Sequence, residues 1–153
     1  MSILTGKEFN VKYSGRKLVK LTNLKSIHNN YKYQTGLNID SLEFNEDCEC
    51  KPGGFYCCFL EDMHNWIGYR DIRMEWIWEV SIPDNAKVVI GDKKIKVNSF
   101  YLSNKTELWS KNLSIYIFHI NKWGFCVWAP CHAQKYITDL LKNSSSISTW
   151  VYD

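Results

Sequence analysis

The chain has no apolar run approaching the roughly 18 residues that a membrane-spanning helix needs, so it is not expected to cross a bilayer. Its opening, MSILTGKEFN, lacks a basic end followed by an apolar stretch, and no secretory signal is expected. Arginine is scarce, with three Arg against sixteen Lys. Arginine is the favoured side chain for bidentate contacts to phosphates and bases, so a net charge of +3 carried by lysine reads as a solvated surface rather than a nucleic-acid footprint. No C-x-x-C pair is present, which excludes a thioredoxin-type redox site, and no G-x-x-x-x-G-K-[ST] run marks a phosphate loop. Internal repeats and interdomain linkers are also lacking.

What is present is a core-forming composition. The 153 residues fit a single domain over 1–153 and are long enough to bury a real core. Hydrophobic residues make up 45% and aromatics 15%, which argues against disorder. Seven Trp, nine Tyr and seven Phe must fill a core, an exposed face, or both. In a chain that is not secreted, the six cysteines read as buried thiols rather than a disulfide framework.

Periodicity predicts an α+β fold: one compact domain, mainly antiparallel sheet, with two or three short helices. Residues 9–22, FNVKYSGRKLVKLT, alternate apolar and polar around Ser14-Gly15 and predict two strands joined by a turn. The polar stretch 28–40 has Gly36 at an expected turn, and the acidic 41–52 reads as a loop. GFYCCFL is a continuous apolar run, hence a buried strand, and Leu60, Met63, Trp66 and Ile67 are spaced for a short helix over 60–70. In RMEWIWEVSI, alternation puts Met74, Trp76, Trp78 and Val80 on one face and Glu75, Ile77 and Glu79 on the other. AKVVIGDKKIKVNSFYLS predicts a hairpin turning at Gly91-Asp92. LSIYIFHI and WGFCVWA read as two more strands, and CHAQKYITDLLKN as a helix with Ala133, Tyr136, Ile137, Leu140 and Leu141 on one face. The serine-rich tail ends in WVYD, which is able to dock.

Three stretches invite chemistry. Cys48, Cys50, Cys57, Cys58, Cys126, Cys131 and His132 form a pool of zinc ligands, but structural zinc wants cysteine pairs two to four residues apart on turns. Cys57 and Cys58 are adjacent and point to opposite faces of a strand, so no metal is expected. Pairing of Cys58 with His119 or His64 for nucleophilic catalysis has no support in spacing, and Cys131-His132 are neighbours rarely aligned for proton transfer. In KPGG, Pro52 fixes the entry to a tight turn, and at least one of Gly53 and Gly54 is expected at positive φ before the buried strand. Trp76 and Trp78, with Glu79 adjacent, make a possible aromatic platform for a cationic base or methylated amine, although a Met-Trp-Trp-Val face is more often core.

One combination is distinctive. Tyr33, Thr35-Gly36-Leu37-Asn38, Phe44-Asn45, Cys50, Pro52-Gly53-Gly54 and Tyr56, then Glu79-Val80, Ile82-Pro83-Asp84 and Ala86, ending near Lys96, resemble the N-terminal domain shared by many ankyrin-repeat proteins of mimivirus-group giant DNA viruses. The resemblance spans about residues 20–105; here the repeats are missing, and 109–153 lies outside the shared segment. It implies a viral protein of the infected cell's cytoplasm (the viral factory) or the virion, and the lysine and asparagine bias agrees with an AT-rich genome. It implies no catalytic residue and no cofactor. The expected role is non-enzymatic contact with a host or viral protein, with no membrane or nucleic-acid partner. A fainter likeness, in the order of elements around GGFYCC and WIWEV, is to ADP-ribosyltransferase folds, whose late acidic residue would have to be Glu107. The alternative role is therefore a nucleotide- or NAD-handling enzyme, or a base-binding module.

Overall fold

The computed structural model describes residues 3–48, 51–68, 72–111, 113 and 130–142. Its elements in chain order are β1 (Leu4–Thr5), α1 (Gly6–Lys12), β2 (Leu18–Thr22), β3 (Ile27–His28), β4 (Tyr31–Lys32), β5 (Gly36–Ile39), β6 (Phe55–Phe59), a 3₁₀ helix (Leu60–Trp66), β7 (Trp76–Ser81), β8 (Lys87–Ile90), β9 (Ile95–Val97), β10 (Ser99–Glu107) and α2 (Cys131–Lys142). Eight strands form one sheet in the order β1-β8-β9-β6-β2-β7-β10-β5, with β3 and β4 as a separate hairpin. The pairings are antiparallel throughout. This is the predicted α+β architecture dominated by antiparallel sheet.

The sheet cannot be flat. Phe55 on β6 and Phe100 on β10 stack with ring centroids 5.0 Å apart, yet β2 and β7 lie between their strands. Three flat strand spacings would separate them by about 14 Å. The sheet therefore curls, and Tyr33 fills the concave side, its ring 5.5 Å from Phe55 and 6.0 Å from Phe100. Phe9, Leu18, Cys57, Trp78, Ile82, Val88 and Leu102 complete this inner core.

The convex side is covered as well. Val19, Leu21, Cys58 and Ile77 pack against Met63 and Ile67, Leu108 and Trp109, and Ala133 of α2. Central strands are thus buried at both parities: β2 along its length, and β6 at four of its five residues. That explains the uninterrupted apolar run in FYCCF. Cys57 and Cys58 fall on opposite sides, as alternation predicts, one in each core.

Several expectations need correction. Residues 9–22 are not a hairpin: Gly6–Lys12 is a helix, and only Leu18–Thr22 is a strand. Thr5 caps the N-terminus by accepting from the Glu8 N–H, and Glu8 accepts from the Thr5 N–H, a complete capping box. The alternation of Phe9, Val11 and Tyr13 misleads because residues four apart also share a helical face: the Phe9 and Tyr13 rings lie 4.8 Å apart, while Val11 is 74% exposed. Gly36 does not sit in a turn between strands but opens β5, with φ of +100°. The helix predicted over 60–70 is a 3₁₀ helix over Leu60–Trp66. Met74 lies outside β7 and packs on the convex core, away from Trp76, Trp78 and Val80 on the concave one. Ile77 is buried, because the convex side has a core of its own.

The hairpin turning at Gly91-Asp92 forms as predicted, closed by the Gly91 N–H donating to the Lys94 carbonyl at 2.8 Å. The predicted C-terminal helix is α2, with Ala133 and Tyr136 on the convex core. The strands predicted in LSIYIFHI and WGFCVWA, and the tail after Ser144, lie outside the described residues. Among the described residues, no helix is long and apolar enough to cross a membrane.

Candidate interaction surface

The KPGG loop is built around a lysine. Lys96 is fully buried, and its ammonium donates to the carbonyls of Asp47 at 2.8 Å and Lys51 at 3.2 Å. The loop before β6 therefore wraps a fixed internal cation. Gly53 and Gly54 have φ of +94° and +136°, as the turn requires. Space excludes side chains there too: a Cβ on Gly54 would meet Lys96 Cε at 2.7 Å, and one on Gly53 would strike the Glu43 carbonyl. The loop is pinned further by the Gly54 N–H donating to Asp40 at 2.8 Å and the Asn45 N–H to the Gly53 carbonyl at 2.7 Å. Tyr56, next on β6, has the ammonium groups of Lys94 and Lys96 each 5.4 Å from its ring. Cys50 lies outside the described residues.

Three of the four described cysteines behave as small apolar residues, and the fourth, Cys131, is an exposed free thiol at the start of α2. Cys48, Cys57 and Cys58 are buried free thiols. Burial pushes the Cys57 thiol up to about 12 and raises Cys58 as well, so neither offers a thiolate at neutral pH. Among the described residues, no group of three or more His, Cys, Asp or Glu side chains converges on a metal position. Cys126 and His119 lie outside the described residues.

Trp76 and Trp78 share one strand face and Glu79 points to the other, although Trp78 and Glu79 border a common cleft. The two tryptophans face the concave side, Trp78 buried and Trp76 half-buried. Their indole N–H groups are already used: Trp78 donates to Thr22 Oγ1 at 2.9 Å, and Trp76 to the Leu24 carbonyl at 3.1 Å. The ammonium of Lys105 sits 4.4 Å from the Trp76 ring and 5.2 Å from the Trp78 ring, where a ligand cation would go. Glu79 occupies the opposite parity, on a cleft of about 380 Å³ lined also by Lys17, Leu60, Ile77, Trp78 and Asn104. There it accepts from Lys17 at 3.0 Å and Asn104 at 2.6 Å. The hydrogen bond from Lys17 is the main cause that lowers its pKa, the opposite of an acid poised near neutrality.

Thr35-Gly36-Leu37-Asn38 leads into the sheet's last strand. Asn38 is fully buried and satisfies four groups. Its amide oxygen accepts from the Gln34 N–H at 3.1 Å and the Tyr31 hydroxyl at 2.9 Å. Its NH₂ donates to the carbonyls of Gln34 at 2.8 Å and Gly36 at 3.1 Å. One polar side chain therefore locks the entry to β5. Leu37 and Ile39, of opposite parity, face outward with 41% and 60% of their surface exposed, next to Tyr101 of β10 at 45%. Tyr101 is the cross-strand partner of Leu37. The result is an apolar outer face along the sheet margin, on a strand whose polar residue is inside.

No protein-family model matches the chain, and no solved structure matches it. The chain is similar to an uncharacterised protein of Acanthamoeba polyphaga mimivirus, 36% identical over 78 residues, which is 50% of this chain and 56% of that protein. The chain thus spans little more than half the length of this relative, and the match supports a giant-virus origin and a viral protein of unknown function.

Proposed function

We propose that this chain is a non-enzymatic protein–protein interaction module of a giant virus, acting in the infected cell's cytoplasm or the virion through the outer face of β5 and β10. The row of Leu37, Ile39 and Tyr101 on an edge strand carries this reading. The likeness to the leading domain of mimivirus-group ankyrin-repeat proteins agrees with it, since such a domain sits beside partner-binding repeats. Cys57, Cys58 and Glu79 are tuned away from nucleophilic and acid–base work, and the ammonium of Lys105 lies against the tryptophan rings, which supports this face over those sites.

A photoreactive phenylalanine analogue at Tyr101, compared with one at Val11, which is the more exposed of the two, tests the reading in infected-cell extracts. The expected result is a discrete protein adduct from position 101 that is absent from position 11 and lost in an Ile39→Lys variant. Adducts of equal yield from both positions, or none from 101, would overturn it.

A further inference from the structure

The backbone of β5 says how such a partner binds. The Asp40 N–H donates to the Asn98 carbonyl at 3.1 Å. The register continues as Ile39↔Ser99, Asn38↔Phe100, Leu37↔Tyr101 and Gly36↔Leu102. In an antiparallel ladder, hydrogen-bonded pairs alternate with pairs whose N–H and C=O point away. With Asp40 and Asn98 a bonded pair, Asn38 and Gly36 also bond inward to β10. Leu37 and Ile39 therefore turn both N–H groups and both carbonyls away from β10, to a margin where no described strand pairs with them, about 7 Å apart along the strand, the repeat of a β-strand. β5 is the last strand of its sheet among the described residues.

Edge strands are ordinarily guarded by lysine, proline, a bulge or extreme shortness. The opposite edge follows this rule: β1 is two residues long and runs straight into the capped α1. β5 has no charged residue and no proline, and the register shift in β10 falls against β7, not β5. The Asn38 network also holds the strand extended before any partner arrives, which lowers the ordering cost of binding.

We infer that β5 accepts an extended peptide segment of a partner protein as a ninth strand, paired through the outward N–H and C=O groups of Leu37 and Ile39. This rests on the proposed interaction role and deepens it. The occupant is a segment of about four or five residues with apolar side chains at alternate positions. Residues opposite Leu37 and Ile39 share their face and extend the apolar row beside Tyr101; the residue between them points to the Asn38 side. A second copy of this chain fits less well. Pairing along four residues, about 13 Å of strand, covers only a small part of the roughly 1,200 Å² that a stable dimer buries.

The test is amide hydrogen exchange of the full ¹⁵N-labelled chain, alone and with a seven-residue peptide that alternates threonine and valine between terminal lysines. Alone, Leu37 and Ile39 are expected to exchange within about tenfold of unprotected amides, while Asn38 is protected. Millimolar peptide should slow Leu37 and Ile39 at least about tenfold and leave Asn38 unchanged. Ile39→Pro removes one outward donor where proline fits an edge strand, so it should keep the Asn38 protection and weaken peptide binding about tenfold or more. Protection of Leu37 and Ile39 in the free chain overturns the inference, because another part of this chain, or at rising concentration a second copy, then covers the edge. Absence of added protection at saturating peptide overturns it too. The proposed function fails separately: a position-101 adduct that survives Ile39→Pro retains the interaction face and removes strand addition, whereas loss of the adduct with intact peptide protection does the reverse.

Discussion

Lys20 offers the sharpest test of the fold's electrostatics. It is buried on the concave side, the cross-strand partner of Trp78, and faces the Tyr33 ring at 4.7 Å. Its ammonium has no carboxylate partner among the described residues, and desolvation pulls its pKa from the ordinary 10.5 to about 8, against a smaller opposing pull from Cys57. That fall corresponds to about 3 kcal/mol of penalty on the charged form. The contact with Tyr33 offsets up to about 2 kcal/mol. Lys20→Met keeps the length of the side chain and removes the charge, so it should stabilise the fold at pH 7 by about 1–3 kcal/mol, as replacing buried charges often does.

The pH dependence is diagnostic. With the folded pKa below the unfolded one, the unfolded chain holds more protons between about pH 8 and 10.5, so the penalty is complete below pH 8 and fades as pH rises through that window. The Met variant's advantage should therefore shrink by about half between pH 7 and 9.5. The difference between the two proteins isolates Lys20, because the raised Cys57 thiol acts on both. Urea denaturation at the two pH values reads it out. A variant less stable than the parent at pH 7, or an advantage that does not change with pH, refutes the account.

Lys96→Met should act in the opposite direction, destabilising by about 2–3 kcal/mol, since it strips the Asp47 and Lys51 carbonyls of their donor; chemical denaturation compares it directly with Lys20→Met. Gly53→Val and Gly54→Val should each cost about 1 kcal/mol or more in thermal melts, through positive φ and collision with Glu43 and Lys96. Trp78→Ala should cost about 3–5 kcal/mol and Trp76→Ala clearly less, because only Trp78 is enclosed; equal melting temperatures for the two variants would contradict the packing.

How much of this was legible in the sequence depended on where each residue's partners lie. β6, the Gly91-Asp92 hairpin and α2 announce themselves because their patterns are local. α1 was signalled by Thr5-x-x-Glu8, a capping box outweighed by the alternation that follows it. β5 inverts the usual code, with Asn38 inside and Leu37 and Ile39 outside, and only the side-chain bonds across residues 31–38 make that inversion tolerable. Lys20 and Lys96 read as surface charges. Tyr33 and the 47–51 carbonyls that surround them come from other parts of the chain, and no periodicity in β2 or β9 reveals them. For the interaction face, the motif residues were visible, but the direction of each N–H follows only from the register.

The seating of α1 sets an order of events during synthesis. Lys7 donates its N–H to Asp84, Gly6 to Ala86, and Asn10 reaches the Ile82 carbonyl, 72 residues away in sequence. At ribosomal speeds of about 5–20 residues per second, α1 waits several seconds for the turn between β7 and β8 that receives it. A seven-residue helix is too short to persist alone in that interval. α1 therefore cannot lock until the 82–86 turn has been made, and it then closes on that turn like a latch. Stalled nascent chains ending before residue 84 should be clipped in α1 by protease, whereas released chains should resist.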